Sequence, residues 1–323
     1  MDLRDLVDEA LEVSVVGSFS RIGWAVRRRL YRWPEPTPGS LEGRVILVTG
    51  PTSGLGRAIA LSLAELGAGL ILVGRDAHRL TGLADDIVDR VGTVRVTPVV
   101  ADMSSTASVD DAVGRIRETV PRLDALIDNA GAIHQRRTLT VDGLEATFAT
   151  MVVQPFRLVH GLLPMLADAR PGQVVAVTSG GMYAQALDPD DLWSEREPYD
   201  GVRAYARAKR AQVVLIREWA RRFRGRGVRF DAMHPGWADT PGLRDALPRF
   251  HSLLGPILRS PAEGADTGVW LAGGGASDRP DGRLYVDRRA RPFDRVPWTR
   301  VDAPARAALW ERVLDLTGLP DPL

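Results

Sequence analysis

Short runs dominated by apolar residues recur along the chain. They alternate with longer stretches in which apolar residues return every three or four positions. Val45-Ile46-Leu47-Val48, Leu70-Ile71-Leu72-Val73, Val94 to Val100, Leu123 to Ile127, Gln173 to Ser179 and Arg229 to Met233 each predict a strand buried on both faces. Helical patterns lie between them. One runs from Ile59-Ala60 to Leu66 and is ended by Gly67; another, Val202 to Arg222, carries Val213, Val214, Leu215, Ile216 and Trp219 as a buried side. Alternating strands and helices predict an α/β domain with a doubly wound parallel sheet and right-handed crossovers. That single domain is expected over residues 40–290. A helical extension follows over residues 291–323, with its helix from Ala303 to Leu316.

Ahead of the first strand, Phe19, Ile22, Val26, Leu30 and Trp33 fall on one helical stripe, with Arg21, Arg27, Arg28, Arg29 and Arg32 around it. Residues 18–33 therefore predict a basic amphipathic helix. It either lies on an anionic membrane surface or packs its stripe on the chain's own domain or on a sister subunit of a homo-oligomer. Pro34, Pro36 and Pro38 break that helix and make a stiff linker, so residues 1–39 form an N-terminal extension.

Composition narrows the classes of function. With 323 residues, 45% of them hydrophobic, the chain can bury a large core. A net charge of +1 provides no field for nucleic acid. Cysteine is absent, which excludes disulfides, thiol catalysis and cysteine-ligated metal. A reducing compartment fits, so the expected location is cytoplasmic, peripheral at a membrane surface if the N-terminal stripe meets lipid. His78, His134, His160, His234 and His251 show no metal-ligand spacing, and no metal is expected. No stretch approaches the ~20 apolar residues of a spanning helix. The 42 basic residues include a single lysine, Lys209. Lysine is a compact ammonium whose pKa responds to its surroundings, so a lone lysine among arginines marks a place where arginine would not serve.

The first strand runs into Thr49-Gly50-Pro51-Thr52-Ser53-Gly54-Leu55-Gly56 and then into a helix. Strand, glycine loop and helix start in that order make a phosphate cradle: glycines let the backbone approach, and the helix N-terminus offers free N–H groups to an anion. The second strand ends in Gly74-Arg75-Asp76. Arg75 there can clamp a ribose 2′-phosphate, which points to NADP(H). The competing reading sets Asp76 on the ribose 2′-hydroxyl, with NAD(H) as cofactor and Arg75 in solvent. A charge-assisted contact contributes ~1.5–3 kcal/mol, enough for a roughly ten- to hundredfold preference. Tyr205 and Lys209 stand four apart in a predicted helix, so a phenol and an ammonium share one face. Ser179 sits at the C-terminal end of a predicted strand, the end that meets ligands in open α/β sheets.

The order T-G-x-x-x-G-x-G, Asn129-Ala130-Gly131, Ser179, Tyr205-x-x-x-Lys209 and Pro235-Gly236 resembles the short-chain dehydrogenase/reductase family over about residues 43–275. The resemblance implies a Rossmann-like fold and hydride transfer between NADP(H) and a carbonyl or alcohol. It implies a cofactor cradle at Thr49, Gly50, Ser53, Gly54, Leu55 and Gly56, with Arg75 beside it. It places an adenine contact at Asp102 and Met103 and a close approach to the cofactor ribose at Asn129, Ala130 and Gly131. Pro235, Gly236 and Trp237 would lie under the nicotinamide, Thr240 would contact its carboxamide, and Tyr205 and Lys209 would also touch the cofactor. Ser179 would hold the substrate oxygen, and Tyr205 would act as general acid in reduction and base in oxidation. A positive charge ~4 Å from the phenol would lower its pKa by about three units at intermediate dielectric; Lys209 and the oxidised nicotinamide are the candidates.

Ser179-Gly180-Gly181-Met182, the Tyr205 to Arg210 string, Asp287-Arg288-Arg289 and Phe19-Ser20-Arg21-Ile22-Gly23 are similar to one subgroup of that family, the dehydrogenase/reductase member 12 group. The chain departs from the family at Met151, where many relatives carry an Asn that holds a water linking the lysine to solvent. Either Thr150 or Gln154 replaces that link, or the chain binds NADP(H) with little turnover, as a sensor or a subunit. Met182, Tyr183, Trp193 and Trp237 suggest an apolar mouth and a lipophilic small-molecule substrate, unless they are core residues.

Overall fold

A computed structural model of the chain describes residues 2–92, 94–169 and 171–322. Its strands are β1 Val45–Thr49, β2 Gly69–Gly74, β3 Val96–Val100, β4 Ala125–Asp128, β5 Gly172–Val177, β6 Val228–Met233, β7 Leu284–Val286 and β8 Arg289–Arg291. They form one sheet in the order β3-β2-β1-β4-β5-β6-β7-β8. Pairing is parallel throughout except for β8, which returns antiparallel on β7. This is the expected doubly wound α/β sheet. The strand order reverses between β1 and β4, which opens a crevice beyond their C-terminal ends.

Alternate residues of each strand enter opposite layers. Leu47, Ile71, Leu126 and Val174 pack on one side with Phe156 and Trp219, while Ile46, Val48, Leu70, Leu72, Ile127 and Val175 pack on the other. Burial on both faces is why these strands read as unbroken apolar runs. The helix expected over Val202–Arg222 spans Gly201–Arg222, started by Asp200, whose side chain accepts from Arg203 N at 2.9 Å. The helix after the glycine loop starts earlier than its apolar pattern, at Gly54, and ends at Glu65. The C-terminal helix, Ala303–Thr317, drives Trp310 between Phe156 and Trp219, with ring centroids 5.0 and 4.7 Å away.

Residues 18–33 do not form one helix with its apolar stripe down. The chain makes three short helices, Leu3–Val13, Val15–Phe19 and Arg21–Leu30, and Ser20 is extended between the last two. Of the expected stripe only Phe19 is buried; Ile22 is 51% exposed. The third helix docks on the chain's own domain through Gly23 and Arg27. A buried set of charges is the reason. Arg27 Nε donates to Asp8 Oδ1 and Nη1 to Asp287 Oδ2, both at 2.7 Å, while Nη2 donates to Glu12 Oε2 at 3.0 Å. Arg259 Nη1 donates to Asp287 Oδ1 at 2.6 Å. Paired on every side, a guanidinium is tolerated in the interior at a position that periodicity assigns to solvent. The first helix is turned the same way. Asp5, Asp8 and Glu12 pair with Arg289, Arg291 and Arg295, leaving Leu3, Leu6 and Val13 outside at 72, 47 and 85% exposure. No helix among the described residues is long and apolar enough to cross a membrane.

Candidate functional site

The crevice begins at the end of β1. The Thr49 hydroxyl accepts from Asn129 N and Ala130 N at 2.9 Å each, and Asn129 Nδ2 donates back to the carbonyls of Thr49 and Gly50 at 2.9 and 3.2 Å. Those bonds lock the glycine loop to the end of β4. Gly56 is required here: a Cβ on it would lie 2.2 Å from Gly50 O and 2.5 Å from Asn129 Nδ2. The loop thus closes tightly over the first turn of the helix, whose free N–H groups face the crevice. Ser53 sits at the helix N-cap without a side-chain bond, and Leu55 packs on the core. Across the loop, the point a Gly54 Cβ would occupy is 3.1 Å from Thr240 Cβ, so the segment from Pro235 to Thr240 closes the other wall.

At the end of β2, Arg75 is exposed. Asp76 caps the next helix, accepting from Arg79 N at 3.0 Å, and Arg79 Nη2 donates to Thr52 O of the loop at 3.1 Å. Arg79 is a second cation at this end, unmarked in the sequence because only the helical turn brings it back to the loop. Asp102 is exposed and accepts from Ser104 N at 2.8 Å, whereas the Met103 side chain is buried in the core.

The other half of the crevice lies beyond β5. Ser179 is half-buried two residues past the strand, with its hydroxyl near enough to the Tyr205 phenol to act on its pKa. Burial pushes that phenol above its ordinary pKa, and Ser179 pulls it back in part. The expected lowering by Lys209 does not hold at this geometry. The ammonium sits 5.8 Å from the Tyr205 ring centroid and donates instead to Val177 O at 2.7 Å and Gln212 Oε1 at 3.2 Å. Lys209 is 2% exposed, and burial brings its pKa down to about 8 against the opposing pull of Asp128. Burial likewise raises Asp128 to about 6, with Lys209, Gln212 and Thr49 acting to lower it.

Met151 lies in a π-helical turn, Ala149–Val153. Its sulfur is 2.9 Å from where a Gly131 Cβ would be, and Lys209 Nζ is 3.8 Å from the same point. Gly131 is therefore needed for this close packing, and Met151 and Lys209 both border it. Neither Thr150 nor Gln154 bonds the lysine. Gln154 Nε2 donates to Thr106 Oγ1 at 2.9 Å, and the partner on this side is Gln212.

The mouth differs from its expected lining. Met182 is fully buried and Tyr183 nearly so, with the Tyr183 hydroxyl donating to Pro292 O; both are core. Trp193 and Trp237 stay half-buried. Phe19 is buried as well and backs Trp237. It stacks on His234 at 4.4 Å, meets Trp237 edge-on at 5.9 Å, and accepts at its carbonyl from Trp237 N at 2.7 Å. His234 accepts from Gly236 N at Nδ1, and burial, then Arg259 and Arg295, press its pKa down to about 3, so the ring is neutral.

Residues 44–249 match the short chain dehydrogenase family. The chain is 41% identical over 257 residues to Dehydrogenase/reductase SDR family member 12 of Homo sapiens, covering 79% of this chain and 80% of that one, which bears out the subgroup resemblance. It is 33% identical over 268 residues to Retinol dehydrogenase 14 of Mus musculus, covering 77% of this chain and 79% of that one. A structure from Beutenbergia cavernae, solved with NADP bound at low occupancy, superimposes with a TM-score of 0.64 at 26% identity and covers 78% of this chain and 97% of that one.

Proposed function

The chain belongs to the short-chain dehydrogenase/reductase family, and from that premise we propose an oxidoreductase that uses NADP(H) to interconvert a lipophilic carbonyl compound and its alcohol through Ser179, Tyr205 and Lys209. One observation carries the reading. An unbroken line of contacts joins the two halves of the crevice, from Gly50 through Asn129 to Asp128, then Gln212, Lys209 and Val177, two residues before Ser179.

The loop fits a dinucleotide: its glycines let it fold tightly against Asn129, Ala130 and Thr240, and a helix starts directly behind it, with free N–H groups for a phosphate. Arg75 and Arg79 supply cations for a 2′-phosphate, while Asp76 is occupied as a helix cap and is a poor partner for a ribose hydroxyl. The NADP-bound relative supports the same cofactor. When bound, the nicotinamide ring supplies or takes up the hydride. Ser179 donates to the substrate oxygen and holds it. Tyr205, kept protonated by burial, gives its proton to that oxygen in reduction and recovers it in oxidation. Lys209, with two donors taken by Val177 O and Gln212 Oε1, keeps its third for the cofactor ribose. Trp193 and Trp237, the latter backed by Phe19, make the apolar surround, and the retinol named for one relative is a substrate of that kind.

NADPH oxidation against a panel of lipophilic aldehydes and ketones tests the reading. Tyr205→Phe is expected to lower kcat by roughly 10²–10⁴-fold with NADPH binding, read by fluorescence, unchanged. A Phe variant as fast as wild type would remove Tyr205 from the chemistry. The Met151 thioether, which borders Gly131 with Lys209, favours a second reading, an NADP(H)-binding protein with little turnover. Tight NADPH binding with no oxidation across the panel would move that reading ahead.

The exposed Leu3, Leu6, Val13, Val15, Val16 and Ile22, together with exposed Arg4, Arg21, Arg29 and Arg32, also favour peripheral contact with an anionic membrane. Phosphatidylserine vesicles at low salt are expected to float the wild-type chain and not the triple variant L3E/L6E/V13E. A wild-type chain that stays at the bottom of the gradient ends the membrane reading.

A further inference from the structure

Lys209 meets a side chain that nothing so far has given a task. Gln212 stands three residues on, one helical turn away, and is itself buried. Its Oε1 accepts from Lys209 Nζ at 3.2 Å and its Nε2 donates to Asp128 Oδ2. Only one orientation of the amide satisfies both neighbours: reversed, it would turn N–H groups toward an ammonium and an oxygen toward a carboxylate. Asp128 ends β4 and is 4% exposed; its other oxygen lies 3.4 Å from the Thr49 hydroxyl, which in turn holds Asn129 and Ala130. A buried ammonium and a buried carboxylate are thus joined through a buried amide, and the amide is spanned from one strand end to the catalytic helix. Met151, which borders Gly131 with Lys209, offers only a thioether, at most a weak acceptor.

We propose that Gln212 and Asp128 are the positioning residues that set the place and the charge of Lys209, with the Gln212 amide as the bridge between them. The inference deepens the oxidoreductase reading and rests on it for the role of Lys209. The lysine has three N–H donors. Val177 O and Gln212 take two, and they fix the direction of the third. Asp128 is the charge that opposes neutralisation of the lysine by burial. The groups around the pair are Lys209 and Tyr205 from the helix, Asp128 from β4, Thr49 from β1, the Val177 carbonyl from β5 and Met151 from the π-helical turn. Asp128 is the charged one facing Lys209 among the described residues. A cavity of ≈ 30 Å³, lined by Asp128, Gln212, Met151 and Trp219 among others, opens beside the bridge and is wide enough for a water molecule.

The single lysine makes the test direct, because ¹³C,¹⁵N-lysine labelling yields one side-chain signal from the whole chain. Its NMR titration reads the charge of Lys209 without any turnover. In the wild type the signal is expected to titrate well below the ordinary lysine value. Asp128→Asn, which keeps the shape and removes the charge, is expected to move the midpoint down by about one pH unit or more. Gln212→Glu is expected to move it up, and Gln212→Leu down by less than Asp128→Asn. Where the chain turns over a substrate, the basic limb of kcat should shift in the same direction and KM for NADPH should change less than kcat. Midpoints that agree in wild type, Asp128→Asn and Gln212→Glu, with NADPH still bound, would overturn the proposal. If one variant fails to fold, the sign of the other decides. A wild type with no activity on any carbonyl tested would count against the oxidoreductase reading and leave the titration to decide this one.

Discussion

Arg75 and Asp76 are neighbours with opposite charge, and the sequence left both as partners for the cofactor ribose. A local bond separates them. Asp76 accepts from Arg79 N at a helix start, and Arg75 is left exposed at the crevice end of β2, beside Arg79. Arg75→Ala is therefore expected to weaken NADPH binding roughly ten- to hundredfold with NADH binding nearly unchanged, as fluorescence titration would read. Loss in Arg79→Ala with no loss in Arg75→Ala would move the phosphate contact one turn along. Ser179, Tyr205 and Lys209 were legible because their spacing follows strand and helix geometry. Gln212 was not, since its meaning depends on Asp128, 84 positions away. The pull of Lys209 on the phenol was misjudged for a related reason: residues on one helical face share a direction, but their polar ends go where partners are.

Among the elements, the first six strands were legible to within about two residues because burial on both faces writes an apolar run; β3 and β4 each start two residues later than their patterns, and the three-residue β7 and β8 are too short to write one. The N-terminal helices defeated the same logic. Helical periodicity treats arginine as outward, yet Arg27 is fully buried because Asp8, Glu12 and Asp287 complete its shell. Asp287 and Arg288 form the two-residue turn between β7 and β8 with φ of 52° and 56°, a left-handed stretch that non-glycine residues rarely hold. The pairs to Arg27 and Arg259 hold Asp287 there. Burial alone would raise its carboxyl, but Arg259 and Arg27 together keep it below the ordinary value. A depressed carboxyl contributes stability that is present above the unfolded value near 3.9 and lost as pH falls through the folded one. Asp287→Asn is expected to cost about 3–5 kcal/mol in urea unfolding at pH 7. The gap to wild type should close once the pH is below both carboxyl values. A cost under about 1 kcal/mol at pH 7 would mean that the charges are no better paired than on a surface.

At the scale of the molecule, the parallel sheet of β1 to β6 was readable from alternation, whereas β7, β8 and the strand order that opens the crevice between β1 and β4 came from the structure. What alternation does not carry is how the chain's start and end meet. Arg27 and Asp287 are 260 positions apart, and Arg259 binds the carbonyls of Ser18 and Ser20 on either side of Phe19. The wall beside the site is therefore held by residues made last. At usual rates of roughly 5–20 residues per second, the N-terminal helices spend on the order of tens of seconds outside the ribosome before their anchor exists. The segment synthesised first is the last to dock, so Phe19 can reach its place against His234 and Trp237 only on a finished chain.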